Sequence, residues 1–157
     1  MLIVLYNYFM KKCTLGLGCF WKPEENFKNK PGIIDTEVGY AGGHNAVVSY
    51  EEVCKGNTGH AEVVRLTFDE KIISYKKILD LFFKMHDPTQ KDMQYPDIGS
   101  QYRSEIFFES DDQEREAKEI LNKFNKELNG KIQTNISKLK NYCKAEEYHQ
   151  KYIEKNR

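Results

Sequence analysis

Strand-like and helix-like segments follow one another in mixed order along this chain, and that order limits the possible folds more than any other feature. Apolar runs or alternating apolar residues predict strands at 12–18, 33–41, 61–68, 104–109 and 131–138. Apolar residues at helical spacing and helix-end signals predict helices at 23–29, 74–85, 111–128 and 146–154. This order favours an α+β fold, a two-layer sandwich in which helices cover one side of a mixed, mostly antiparallel sheet.

The stretch from 87 to 102 differs from its neighbours because it is rich in Asp, Pro, Gln and Gly and has little periodicity. The helix before it ends at His86-Asp87-Pro88. The helix after it is the clearest in the chain, with Asp111 as its predicted N-cap and Asn129-Gly130 as its end. A loop of this length inside a compact domain usually carries function.

The charge balance excludes two classes of partner. Lys plus Arg and Asp plus Glu number 24 each, so no net field attracts nucleic acid or an acidic membrane surface. Residues 1–10 are apolar, but they are too few to span a bilayer and are predicted to form an extra N-terminal strand or arm. We expect a single domain over 1–157 that works without nucleic acid or membrane, as a monomer.

The four cysteines lie far apart and form no C-x-x-C pair, which indicates a reducing compartment and a cytoplasmic protein. Neither they nor the histidines have the paired spacing of a structural zinc site, so no metal is predicted. The histidines are interpreted as ordinary hydrogen-bonded or surface residues. Those residues are His44, His60, His86 and His149.

Cys19 is the candidate nucleophile, because it follows a strand-like run and precedes both Phe20 and Trp21 at a predicted helix start. Unpaired amides at a helix N-terminus favour thiolate, which predicts a pKa below the free value of about 8.5. The alternative is a buried, inert cysteine beside core aromatic residues. Two neighbouring aromatic rings would give a true nucleophile an apolar pocket.

Glu62 is the candidate acid, because it begins a strand whose following residues are apolar. Burial would raise its pKa and keep it protonated near neutral pH, whereas on the outer strand face it would be an ordinary solvated glutamate. Asp97 follows a proline and could equally be turn chemistry. Tyr50 and Tyr102 either donate hydrogen bonds through their hydroxyl groups or only pack their rings in the core. These residues alone indicate a possible cysteine enzyme and no substrate.

Several ordered motifs together resemble the type A peptide methionine sulfoxide reductase family. They are GCFW (18–21), EVGYAGG (37–43), YEEVCKGNTGHAEVVR (50–65), HDPTQ (86–90), GSQYRS (99–104) and AEEYHQ (145–150). The resemblance covers roughly 11–153 and implies a fold related to the ferredoxin-like α/β sandwich, without metal or cofactor. It also implies reduction of the S epimer of methionine sulfoxide in proteins, in peptides or as the free amino acid.

The resemblance assigns a role to each matching residue. The nucleophile is Cys19 and the acid is Glu62. The remaining assignments are the methyl-binding aromatics Phe20 and Trp21, the hydroxyl donors Tyr50 and Tyr102, and the substrate-orienting Asp97. Attack on sulfur would turn Cys19 into a sulfenic acid, which a thiol must then reduce.

Recycling is where this chain departs from the family pattern. Arg157 follows soon after AEEYHQ, so the cysteine-bearing tail that often supplies the resolving thiol is not in this sequence. We expect either no dedicated resolving cysteine or a resolving role for Cys143, with thioredoxin or another dithiol as reductant. Leu17 and Tyr95-Pro96 also depart from the pattern, which bears on loop shape more than on chemistry.

Two other functions compete with the reductase. The first is a non-catalytic module that binds oxidised methionine or an extended peptide in the aromatic pocket. The second is cysteine-dependent acyl transfer, which needs a base paired to the thiol. The binding module is disfavoured because every matching catalytic position of the family is occupied in this chain. Acyl transfer is disfavoured because no histidine has an evident role as the base.

Overall fold

The computed structural model describes residues 9–157. Within them, the central sheet has six strands in the order β7-β6-β1-β3-β2-β8. These are β1 Met10–Leu17, β2 Ile33–Ala41, β3 Ala61–Asp69, β6 Ser104–Phe108, β7 Asn135–Lys138 and β8 Cys143–Lys144. A separate hairpin joins β4 Met93–Gln94 to β5 Asp97–Ile98. Since only the β6–β7 pair is parallel among these strands, the predicted mostly antiparallel α+β fold is confirmed.

The helices agree with the prediction where the apolar spacing is long and regular. They are α1 Trp21–Lys28, α2 Tyr50–Cys54, α3 Tyr75–Met85, α4 Asp111–Glu127 and α5 Tyr152–Lys155. Of the predicted extra N-terminal strand or arm, residues 1–8 lie outside the described part, and Met10 is the first residue of β1.

The main core lies between one face of the sheet and the helices α3 and α4. Leu15 on β1 and Val38 on β2 both pair with Val64 on β3, so these three side chains share a face. The buried residues Ile78, Leu79, Phe82, Ala117 and Phe124 from α3 and α4 belong to the same apolar cluster as Leu15 and Val64. Burying this surface anchors the two central strands whose ends carry the candidate site.

Several element boundaries differ from the prediction. The predicted loop around Tyr50 contains the short helix α2, in which Ser49 and Glu52 form a capping box. The N-cap of α4 is Ser110 rather than Asp111, since the Ser110 hydroxyl accepts from Gln113 N. The predicted strand 131–138 is shorter, and the predicted helix 146–154 divides into a 3₁₀ turn, Glu147–His149, and α5.

The C-terminal segment is attached to the sheet beside the candidate site. The buried amide of Gln150 accepts from Val38 N at 2.9 Å and donates to Val38 O at 2.9 Å, like an added strand. The Glu146 carboxylate accepts from the Tyr40 hydroxyl and from Tyr50 N, each at 2.8 Å. Glu146 and Gln150 of the motif AEEYHQ therefore have a structural role, because their contacts hold α2 and the C-terminal segment against β2.

Candidate active site

Cys19 lies in the turn that joins β1 to α1. Gly18 has φ +93° in this turn, and an added Cβ would lie 2.9 Å from the Gln94 side chain, so only glycine fits. Phe20 is the N-cap of α1, and the backbone N–H of Trp21 hydrogen-bonds the Cys19 thiol. The predicted position at a helix N-terminus is therefore confirmed.

The predicted lowering of the Cys19 pKa is wrong. Burial raises the pKa of the Cys19 thiol to about 11; the Trp21 N–H lowers it, and the carboxylates of Glu62 and Asp97 raise it further. One backbone hydrogen bond does not offset desolvation together with two nearby acidic groups. At neutral pH the cysteine is therefore a thiol.

Glu62 is buried directly behind this turn. It lies on β3, is 1% exposed, and its Oε1 accepts a hydrogen bond from Phe20 N at 3.2 Å. Burial raises its pKa from 4.5 to about 8, a shift that the Phe20 N–H reduces and the charge of Asp97 increases. The alternative of a solvated surface glutamate is wrong, and the carboxyl group is mostly protonated at neutral pH.

The two tyrosines and Asp97 belong to the same group of residues. Burial and the nearby Glu62 carboxylate raise the pKa of Tyr102 to about 12, with smaller effects from Cys54, Asp97 and Cys19. A hydrogen bond to Cys54, followed by burial, raises the pKa of Tyr50. Both phenols therefore keep their protons at physiological pH and can donate hydrogen bonds.

Phe20 and Trp21 form an aromatic wall that other rings hold in place. The Phe20 ring is 1% exposed and lies 5.7 Å from the Tyr40 ring, centroid to centroid. The Trp21 indole stacks on Tyr152 with centroids 3.8 Å apart, and its Nε1 donates to His149 Nδ1 at 3.0 Å. The wall has little freedom to move, as a shape-selective pocket requires.

His149 is the site residue that sequence reasoning missed. Its buried ring lies 5.1 Å from the Phe20 ring and 4.6 Å from the Tyr50 ring. Because Nδ1 accepts from Trp21 and burial lowers the pKa of the imidazole, the neutral ring carries its proton on Nε2. AEEYHQ supplied the family resemblance, but no signal in the motif showed that its histidine contacts the aromatic wall.

Cys143 is separated from these residues. It lies on β8, and β2 and β3 stand between that strand and β1. At about 4.8 Å per strand, β8 is on the order of 14 Å from β1, whereas disulfide-bonded Cα atoms lie about 4.4–6.8 Å apart. The Cys143 thiol donates instead to Val48 O at 3.7 Å and to Lys144 O at 3.6 Å. The four cysteines within the described residues are free thiols.

His86 lies beside Cys19 in the wall of a small cavity, but it is not available as a base. Its Nδ1 contacts Phe82 O at 2.7 Å and its Nε2 contacts the Ser104 hydroxyl at 2.7 Å. Burial lowers the pKa of His86 to about 4. This arrangement gives no support to acyl transfer by a cysteine–histidine pair.

Residues 9–157 contain neither a metal-binding cluster nor a membrane-spanning helix. Within that range, His, Cys, Asp and Glu form no group of three that could hold a metal ion. None of the helices in the same range combines the length and apolar character needed to cross a membrane.

Comparison with known proteins identifies the family. The family model for peptide methionine sulfoxide reductase matches residues 11–157. The peptide methionine sulfoxide reductase MsrA of Pelagibacter ubique is 58% identical over 146 residues, which are 93% of this chain and 99% of that protein.

Solved structures agree with the sequence comparison. The reduced form of Mxr1 from Saccharomyces cerevisiae superposes with a TM-score of 0.91 at 39% identity, covering 95% of this chain and 87% of that one. Mxr1 in complex with Trx2 gives a TM-score of 0.66 at 28% identity, covering 92% of this chain and 86% of that one. The predicted resemblance is confirmed: the chain belongs to the peptide methionine sulfoxide reductase family and is a methionine sulfoxide-reducing enzyme.

Proposed function

We propose that this enzyme reduces the S epimer of methionine sulfoxide, with Cys19 as nucleophile and Glu62 as general acid. The observation that carries the proposal is the buried Glu62 carboxyl group, which accepts from the backbone N–H of Phe20, the residue next to Cys19, and is largely protonated at neutral pH. Sulfoxide oxygen leaves poorly until it is protonated, so a neutral acid beside the nucleophile is what the reaction needs.

The protons balance without an external acid or base. As Cys19 Sγ attacks the sulfoxide sulfur, Glu62 gives its proton to the sulfoxide oxygen, and the thiol proton restores the carboxyl group. The S–O bond of the substrate breaks as the oxygen passes to Cys19, which becomes a sulfenic acid while methionine is released. Because Cys19 starts as a thiol, its own proton replaces the one that Glu62 gives to the oxygen.

The tyrosines and Asp97 act on the sulfoxide oxygen and its surroundings. Tyr50 and Tyr102 both retain their phenolic protons, so they can hydrogen-bond the oxygen as negative charge develops on it. Asp97 acts electrostatically on both Cys19 and Glu62, which supports a role in orienting the substrate and its water.

The aromatic wall selects the epimer. Phe20 and Trp21 would enclose the methyl group, while the oxygen faces Glu62 and the tyrosine hydroxyls. The R epimer exchanges the positions of oxygen and lone pair, so its oxygen would point away from the acid when its methyl group is enclosed. His149 positions Trp21 through the indole N–H, and specificity thus depends on a fixed shape.

Turnover of separated epimers tests this function. With dithiothreitol as reductant, we expect loss of free S-methionine sulfoxide, measured by chromatography, and no loss of the R epimer. Reduction of both epimers at similar rates would contradict the aromatic selection. No reduction of either would favour the alternative, a module that only binds oxidised methionine.

Thioredoxin or a similar dithiol regenerates Cys19 in this proposal. A thiolate attacks the sulfenic sulfur, water leaves, and a second thiol reduces the resulting disulfide. The complex of Mxr1 with Trx2 supports thioredoxin as the reductant here. The separation of β8 from β1 favours direct attack by the external reductant on Cys19 over a resolving role for Cys143.

A single turnover without reductant tests the recycling route. We expect Cys19 to persist as a sulfenic acid, because Cys143 lies on a strand that β2 and β3 separate from β1, and its thiol contacts Val48 O. Trapping with dimedone followed by peptide mass spectrometry would locate the adduct on Cys19. A Cys19–Cys143 disulfide in the same digest would instead assign Cys143 as the resolving thiol. A cytoplasmic location and a monomeric state stay predictions.

A further inference from the structure

A groove beside Cys19 is not lined by the acid Glu62. This flanking groove, a cavity of about 180 Å³, has Cys19 in its wall and lies between α1 and the segment 85–97. The described residues that line it do not include Glu62, Phe20 or Trp21. It therefore adjoins the reacting sulfur without belonging to the methyl pocket.

The groove has an apolar part and a polar part, and the polar part is formed by Lys22, Asn26, His86, Gln94 and Asp97. Leu17 and Pro23 are buried lining residues and Met85 is half-buried. The lining residue Tyr95 is 74% exposed, and Ile98, which follows Asp97 but does not line the groove, is 70% exposed. Large apolar side chains exposed on both sides of Asp97, next to a reaction centre, indicate a surface that contacts another chain.

Side-chain hydrogen bonds hold the wall that carries Tyr95. The Gln94 amide accepts from Asp87 N and donates to Asp87 O, both at 2.9 Å, and Gln90 Oε1 accepts from Tyr95 N at 2.7 Å. The Gln94 side chain also packs against Gly18, in the turn before Cys19. A preformed wall lowers the entropic cost of binding.

The substrate of the proposed function supplies the occupant. Methionine is among the residues most often buried, so an oxidised methionine that becomes accessible in a damaged protein is exposed together with other apolar side chains of the former core. Resting on the proposed function, we propose that the flanking groove binds an apolar side chain next to the oxidised methionine of an extended polypeptide, and that Tyr95 sets this preference.

Matched peptides test the proposal. The substrates are acetyl-Leu-Met(S-oxide)-Leu-amide, acetyl-Ser-Met(S-oxide)-Ser-amide and N-acetyl-methionine S-oxide amide, with dithiothreitol as reductant. We expect wild type to favour the leucine peptide over the serine peptide about tenfold in kcat/KM, since the site is open and only partly buries the side chain. In Tyr95→Ser this preference should fall to about twofold, with no change for the single-residue substrate.

Ile72→Ser is the control, because Ile72 is also largely exposed, at 62%, but does not line the groove. It should keep the tenfold preference. Equal rates for the two peptides in wild type, or an equal loss for all three substrates in Tyr95→Ser, would overturn the proposal. A loss seen only when thioredoxin replaces dithiothreitol would assign the groove to the reductant instead. Failure of wild type to reduce even the single-residue substrate would contradict the proposed function itself.

Discussion

Replacing Cys19 by serine is expected to abolish sulfoxide reduction, with a loss on the order of 10⁵-fold or more, as is usual when the nucleophile of covalent catalysis is removed. A serine hydroxyl cannot take up the oxygen as a sulfenic acid, so the reaction loses its oxygen acceptor. The measurement is the chromatographic loss of S-methionine sulfoxide with dithiothreitol in excess.

Binding should survive in the Cys19→Ser variant, which separates the enzyme from the non-catalytic module. Trp21 is the single tryptophan of the sequence, so a fluorescence titration with S-methionine sulfoxide reports directly on the aromatic wall. We expect a saturable change in both wild type and variant. Cys143→Ser, the same change at a cysteine on β8, should keep most of its activity with dithiothreitol. Activity of Cys19→Ser within tenfold of wild type would contradict the mechanism.

The sequence predicted the central fold because the apolar patterns of its main elements are long. The helix ending at Glu127 and the strand beginning at Ala61 both repeat their apolar period often enough to be recognised. The helix α2 spans only 5 residues, too few for any period to appear, although Ser49 and Glu52 carried the capping-box signal. The strand β8 has 2 residues and depends on its pairing with β2.

The sequence predicted most residues of the candidate site, but it did not predict the pKa of Cys19. Motifs brought Cys19 and Glu62 together, yet the pKa of Cys19 depends on burial and on carboxylates that the fold delivers from distant segments. A helix N-terminus is visible in the sequence, whereas desolvation is not. His149 was missed for the same reason, because its contacts with Phe20 and Trp21 join opposite ends of the chain.

Glu62→Gln is expected to lower the rate of oxygen transfer by roughly 10²- to 10⁴-fold, the usual contribution of a positioned general acid. The amide keeps the size of the side chain and can still accept from Phe20 N, but it has no acidic proton to give. In wild type the single-turnover rate should fall as the pH rises through about 8, where Glu62 loses its proton. This fall should be absent from the variant.

The same substitution should stabilise the fold at alkaline pH. The folded protein holds the Glu62 proton up to about pH 8, whereas the unfolded chain releases it near 4.5, so the folded state binds more protons in between. The free energy of unfolding that Glu62 contributes is therefore fully present below about pH 4.5 and is lost as the pH rises to about 8. Without this loss, Glu62→Gln should be more stable than wild type at pH 9, by roughly 2–5 kcal/mol, and nearly equal to it at pH 4.

Urea unfolding at the two pH values measures the difference, and Glu70→Gln, at an exposed glutamate just beyond β3, is the matched control. That control should leave both the rate and the pH dependence of stability nearly unchanged. A Glu62→Gln variant that is less stable than wild type at pH 9 would mean that the carboxylate is solvated or paired there, which would remove the basis for a neutral acid. A slow but more stable enzyme would show that the fold accepts the cost of burying Glu62 because the reaction needs its proton.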